Sequence, residues 1–460
     1  MNMGVGTRLL CFEWLIYIQA VLFCILFAVW ILPETILIRN ICIVSGALIG
    51  IFQIYLYRNS LVDKKTFSIW LLLALFIWVS FHLLFLSNNF SQQYTEYLGI
   101  WKRSLLGAIF ALGFGLSLSD ASSRLSKTAW VVFYVGLLLP TLIYIFKYSF
   151  IYYSRIEGIS VPEHLQLFPS GVSRFYIAKT AYVGFCIPVL AAALGVLNCQ
   201  IKKGCWNSLV NLVFYITIPA VLFVFYVENI KNGLVYALGL ICIFIGPIAY
   251  KTFKKSPIKI GLLLFLFAFV SGLLIKSHIK QNHSWETLFA DAKIAAQTEV
   301  YRNWQCTAVL GLPKNSLGEP VSATNYERIS WGLIAIKLVR QYPLGFGLVE
   351  RSFGSIGLEK WPNSCLSQSH SGWLDLALGI GIPGVLLILV ALLFNLISLC
   401  RMQSQDCMRS KIWISTLAWV LLSLLLIWCT TEISQKIFLD ELIFFIALSG
   451  GFIAGGKKLS

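Results

Sequence analysis

Charge is what this sequence has least of. Of its 460 residues, 36 are Lys or Arg and 20 are Asp or Glu, 12% in all, about half the share found in soluble globular domains. Together with 58% hydrophobic residues and a mean hydropathy of +0.79, that scarcity excludes a soluble globular protein. The twelve cysteines lack C-x-x-C or ligand-like spacing, which removes zinc-module and redox-motif readings. Carboxylates suited to Mg²⁺ or Mn²⁺ do not cluster on the outer side, so no metal and no other cofactor is expected. Asp291, Glu286, Glu299, Glu319, Glu327, Glu350 and Glu359 read instead as scattered and mostly solvated. No internal repeat supports an inverted-repeat transporter. No small-residue exit precedes the first apolar run, so that run is expected to stay in the protein.

What the sequence does have is long apolar runs. They fall at 10-32, 36-57, 66-87, 100-118, 128-149, 178-199, 207-227, 231-250, 259-277, 373-399, 412-430 and 437-455, each able to cross a hydrocarbon core of about 30 Å. Twelve spans make an all-α polytopic membrane protein with both termini on one side. Three regions follow: nine spans over 1-277, a long polar loop over 278-372, and three spans over 373-460.

Lys and Arg in short connections set the orientation. Arg8; Arg58, Lys64 and Lys65; Arg124 and Lys127; Lys202 and Lys203; Lys251, Lys254, Lys255 and Lys259; Arg401, Arg409 and Lys411; and Lys457 and Lys458 share one side, which should be cytoplasmic. The net charge of +16 is largely accounted for there and does not point to nucleic acid. The 88-99, 150-177 and 278-372 loops and the 431-436 turn then face outward. Lys102, Arg103, Lys147, Arg155, Arg174, Lys179, Lys231 and Arg328 sit at or near the outer boundary against that rule. Snorkelling to lipid headgroups explains any one of them; an anionic ligand would explain several.

A loop this long is functional by default. The stretch Ser284 to Arg302 reads as an amphipathic helix on the membrane surface. A second helix should run from Asn325 to just before Pro343, with Tyr326, Ile329, Leu333, Ile336 and Val339 on its packed face and Arg328 in its first turns. Cys306 and Cys365 are the only cysteines in the loop, and in an oxidising compartment they can pair and staple it. Trp285, Tyr301, Trp304 and Trp361 suit either sugar stacking or interfacial anchoring.

Of the five histidines, His82 reads as a satisfied buried residue, and His164, His278 and His283 as solvated. His370 differs, because Ser369-His370-Ser371-Gly372-Trp373-Leu374-Asp375 closes the loop and opens a span. A helix start with a serine cap and Asp375 in the first turn is one reading; a catalytic imidazole at the membrane surface is the other.

The order Arg328, Pro343-Leu-Gly-Phe-Gly347, His370-Ser-Gly-Trp-Leu374 and Gly381-Ile-Pro-Gly384 resembles the O-antigen ligase and O-antigen polymerase superfamily. The resemblance extends loosely over most of the chain through the twelve-span layout. The chain departs from the family pattern at Ser371, at Gly379, and at Lys231, which lines up with a family arginine and keeps its charge without the bidentate fork. The resemblance implies a GT-C-like glycosyltransferase of the bacterial inner membrane, metal-independent and active at the periplasmic face. It would move a glycan from undecaprenyl diphosphate to lipid A-core oligosaccharide. His370 would be the catalytic base. Arg328, Lys231 and Arg174 would bind the donor diphosphate, with Arg103, Arg155 and Asp375 as helpers.

Two alternatives stand beside a ligase. An O-antigen polymerase or a protein O-oligosaccharyltransferase would use the same donor and residues. A transporter or flippase would also suit twelve spans, but it should carry midplane charges and related halves.

Overall fold

The computed structural model describes residues 13–169, 171, 173–253, 256–403, 411–430 and 437–456. Arg8, Lys254, Lys255, Arg409, Lys457, Lys458 and the 431-436 turn, used above for orientation, lie outside the described residues. The described chain is helical apart from turns, loops and an isolated bridge between Lys314 and Pro320.

Among the described residues, eleven helices are long and apolar enough to cross a membrane: Glu13–Trp30, Ile36–Leu56, Lys64–Leu86, Phe90–Asp120, Arg124–Glu157, Lys179–Lys202, Leu209–Val227, Lys231–Tyr250, Leu264–Gln281, Gly372–Gln403 and Ile437–Gly455. The run at 412-430 forms a shorter apolar helix, Lys411–Ile427. Two loops, 88-99 and 150-177, are shorter than expected. Asn89 caps a helix by accepting the Gln92 amide at 3.1 Å, so most of 88-99 belongs to the fourth span. The fifth runs on to Glu157, where Gly158 takes a left-handed φ of +64° and ends it.

Lys179–Lys202 and Ile437–Gly455 are wholly enclosed by the other helices, whereas Leu264–Gln281 lies on the surface. In a membrane, close packing replaces the hydrophobic effect as the force between helices, and small residues permit it. A Cβ on Gly113 would lie 2.4 Å from Gly50 Cα, and one on Gly451 would lie 2.4 Å from the Leu112 carbonyl oxygen. The fourth span is thereby clamped between the second and the last.

The loop folds into a domain with its own core of Trp304, Tyr326, Trp331, Ile334, Leu338, Phe346, Phe353 and Ile356. Cys306 and Cys365 are disulfide-bonded, with Cα atoms 4.7 Å apart. The second loop helix is Ala323–Gln341, but its packed face is Tyr326, Trp331, Ile334, Ala335 and Leu338, while Leu333 and Ile336 are exposed. Trp331 decides this rotation by donating Nε1 to the Trp304 carbonyl at 2.7 Å inside the loop core. The expected surface helix from Ser284 to Arg302 is broken into a turn at His283–Trp285 and a helix at Leu288–Ala295. Its Asp291 is fully buried, because the segment walls the loop domain.

A backbone joint ties this domain to the tenth span. Gly381 is non-helical within Gly372–Gln403, and Pro383 has no amide to offer the Gly379 carbonyl. The turn at 343–347 supplies the missing partners. Phe346 N donates to Leu378 O at 2.6 Å, Gly347 N to Gly379 O at 2.8 Å, and Ile382 N to Pro343 O at 2.8 Å. Trp78 Nε1 caps the Ile380 carbonyl at 2.7 Å. A Cβ on Gly345 would lie 2.5 Å from Gly381 N, and both glycines have positive φ, so neither position admits a side chain. His82, buried as expected, faces Gly345 O at 3.3 Å and Gln93 Nε2 at 3.0 Å, bracing the joint from the third span.

Candidate functional site

Three residues at three-residue spacing on Ala323–Gln341 organise the site: Asn325, Arg328 and Trp331. Residues so spaced lie on one side of a helix, and each step climbs about 4.5 Å. At the lower end, Lys231 Nζ donates to Asn325 Oδ1 at 2.9 Å and to Ser284 O at 3.0 Å, and it sits 4.8 Å above the Trp285 ring. Arg328 and Asp291 are its charged neighbours. At the upper end, the His370 imidazole stacks on Trp331, with centroids 5.0 Å apart and planes 10° from parallel. Arg328 stands between them, half-buried, with no hydrogen bond or ion pair among the described residues.

Asp291 supports the lower corner from behind. It accepts from Thr287 Oγ1 at 2.6 Å, Asn315 Nδ2 at 3.0 Å, Asn325 Nδ2 at 2.9 Å and the Ser322 amide at 3.1 Å. Burial alone would raise its carboxyl, but these four donors together hold it below the usual carboxylate range. Both oxygens are thus occupied by the loop, and the two cations keep an outward surplus of positive charge. From sequence Asp291 reads as solvated, and Ser284, Asn325 and Trp331 carry no functional signal. The amphipathic pattern of 284–302 hid Asp291 and Ser284, and Trp331 falls off the face that periodicity suggested.

His370 is held in an unusual backbone state. Its φ is +59°, a conformation that costs a non-glycine residue on the order of 1 kcal/mol. Asp375 stabilises the turn, accepting the Ser369 amide at 2.8 Å through Oδ1 while its own amide donates to Ser371 O at 2.9 Å. Gly372 abuts the Trp428 ring, where a Cβ would lie 2.8 Å from it, and Trp373 N donates to Trp428 O at 3.3 Å. The end of Lys411–Ile427 is thus pressed against the start of the tenth span. Tyr236, another electrostatic neighbour of Arg328, bonds the Thr430 hydroxyl, which encloses the cluster from the eighth span.

The other expected residues are placed elsewhere. Arg174 is exposed and lies over its neighbour Phe175, 4.8 Å from the ring centre. Arg155 is exposed in the last turn of its helix. Arg103 forms an ion pair with Asp440 of the last span. None of these three has a contact with Lys231, Arg328 or His370 among the described interactions. His278, expected in solvent, is fully buried and accepts from Trp285 Nε1 at 2.9 Å. Trp304 is buried under Trp361, with centroids 4.8 Å apart, so Trp285 and Trp304 are spent on the loop's own packing. Among the described residues no three of His, Cys, Asp and Glu gather as a metal-ligand group.

Chemically, the arrangement offers two cations and an imidazole held along one loop helix, on a disulfide-tied domain. Cations fixed in that way stabilise an anion or a departing anionic group, and an imidazole can accept a proton beside it. In comparisons with known proteins, no family model and no curated protein matches this chain.

Proposed function

We propose that this chain is an O-antigen ligase-like glycosyltransferase of GT-C type. It sits in a bacterial inner membrane with both termini cytoplasmic and the cluster at the periplasmic face. The donor is a glycan on undecaprenyl diphosphate, and the acceptor is lipid A-core oligosaccharide. The observation that carries the reading is the single helix face on which Asn325 holds Lys231, Arg328 stands alone, and Trp331 holds His370.

In the reaction, the acceptor hydroxyl oxygen bonds to the anomeric carbon while the bond from that carbon to the diphosphate breaks. The diphosphate leaves with the electron pair and gains negative charge. Arg328 and Lys231 meet that charge, which develops during the step, and so act more strongly on the transition state than on bound donor. His370 takes the hydroxyl proton. The left-handed backbone and the Trp331 platform fix the imidazole beforehand, so little ordering remains to be done during transfer.

The testing experiment is a glycolipid gel of a deletion strain complemented with the wild-type gene or His370→Ala, beside the amount of carrier-linked polymer. A ligase variant accumulates long chains on the carrier that fail to reach lipid A-core. Loss of long chains from carrier and core alike, with single units still transferred, would replace ligase by polymerase. Normal long-chain lipopolysaccharide in the variant would defeat the assignment of His370.

A further inference from the structure

We propose that a second anion site, separate from the Lys231, Arg328 and His370 cluster, takes the phosphate headgroup of a membrane lipid. A cavity of about 330 Å³ opens where the first, second, fourth and last spans meet the 176–177 segment, with Arg39, Asn40, Arg103, Tyr176 and Glu350 on its wall. It shares no lining residue with the first cluster.

Donor accounting in this cavity leaves guanidinium nitrogens unmet. Asp440, buried in the last span, is paired with Arg103 Nε and also accepts from Ser104 Oγ at 2.5 Å. It is the carboxylate that acts on Arg39 as well, so one anion serves two guanidinium groups. Glu350 stands on the same wall as a second carboxylate. Arg103 Nη2 and Arg39 Nε are buried without a hydrogen-bond partner, and among the described residues the Arg39 guanidinium makes one bond, a 3.4 Å contact with the Trp30 carbonyl. Unpaired guanidinium donors inside a protein are costly. A phosphate, with several acceptor oxygens in fork geometry, satisfies both.

The backbone points to the same ligand. Ile36–Leu56 begins at this cavity without a side-chain cap. Thr35 would ordinarily supply one, but its hydroxyl donates back to Val29 O at 2.8 Å and Leu32 O at 2.6 Å. The first-turn amides of a 21-residue helix therefore add their positive end to the two guanidinium groups. A lipid is preferred over a free anion because of the helix's outer side. Ile36, Leu37, Ile41 and Leu48 are more than half exposed and run from the cavity mouth down the surface that faces the bilayer. A phosphate in the cavity would have its acyl chains on that surface.

The test is native mass spectrometry of the purified full chain in detergent. Phosphatidic acid, phosphatidylcholine of the same acyl chains, and inorganic phosphate would each be titrated. Wild type should keep phosphatidic acid in preference to phosphatidylcholine, and Arg39→Gln should weaken that binding roughly tenfold. A second variant, Arg103→Gln with Asp440→Asn, removes a guanidinium without stranding its buried partner and should weaken it similarly. Wild-type affinity in both variants overturns the site. Displacement of the lipid by an equal concentration of inorganic phosphate overturns the lipid assignment in favour of a free anion.

Discussion

The indole of Trp331 carries the imidazole of His370 at 5.0 Å, and it lies one helical step from Arg328. This contact transmits the position of the loop helix to the residue that opens the tenth span. Trp331→Phe keeps an aromatic platform but removes the bond to the Trp304 carbonyl. Aromatic stacking contributes about 0.5–1.5 kcal/mol, so transfer by Trp331→Leu should fall roughly two- to tenfold below that of Trp331→Phe. Equal rates with purified donor and acceptor would show that the platform does not matter.

His370→Ala removes the proton acceptor but should leave the loop folded, since Asp375 still holds the Ser369 amide. General-base catalysis is typically worth about a hundredfold or more. The variant should therefore lose at least that much transfer in vesicles while its membrane content and disulfide remain those of wild type.

Arg328→Ala should mainly weaken donor use, by about ten- to a hundredfold, the range for a hydrogen bond to a charged group. Arg328→Lys should recover only part, because the ammonium keeps the charge and loses the fork. Steady-state kinetics against donor concentration is the measurement; unchanged donor dependence in Arg328→Ala would remove it from the diphosphate site.

The Cys306–Cys365 bond closes a sequence separation of 59 residues. Cys306→Ser with Cys365→Ser should lower stability of the loop domain by about 2–5 kcal/mol, seen as faster proteolysis within 282–371 and a lower melting midpoint. Mass mapping of unreduced wild-type protein should find the two residues linked.

Glu228 gives a pH dependence. Burial in the turn between the seventh and eighth spans pushes its carboxyl up to about 7, against the opposing effects of Lys179 and Tyr144. A carboxyl raised in the folded state is neutral in both states at low pH. As pH rises from about 4.5 to about 7, the unfolded chain ionises first, and stability declines through that window. Glu228→Gln should flatten the decline in a thermal-unfolding series and raise the midpoint at pH 8. A parallel decline in the variant would assign it to other groups.

Some features were legible because they are local. Apolar runs of the right length placed the spans, since a helix must satisfy its own backbone in lipid. The helix at 323–341 was readable from Pro343, which stops it, and the loop cysteines from their isolation. The rotation of that helix was not, because Trp331 turns inward for a partner at Trp304, far outside any local window. Asp291 looked like a surface carboxylate for the same reason: its four donors come from Thr287, Asn315, Ser322 and Asn325.

The sequence by itself determined that this chain is built of apolar helices with one long polar loop, and it marked Arg328 and Lys231 as cations suited to an anionic ligand and His370 as a candidate base. Only the tertiary structure decided which of the expected cations stand together. It grouped Lys231 with Arg328, left Arg174 and Arg155 at the surface, and gave Arg103 to Asp440 and a different cavity. Charge type is written in each residue, whereas proximity depends on how helices pack. Here that packing rests on glycines at 113, 345 and 381, where backbone meets backbone with no room for a side chain.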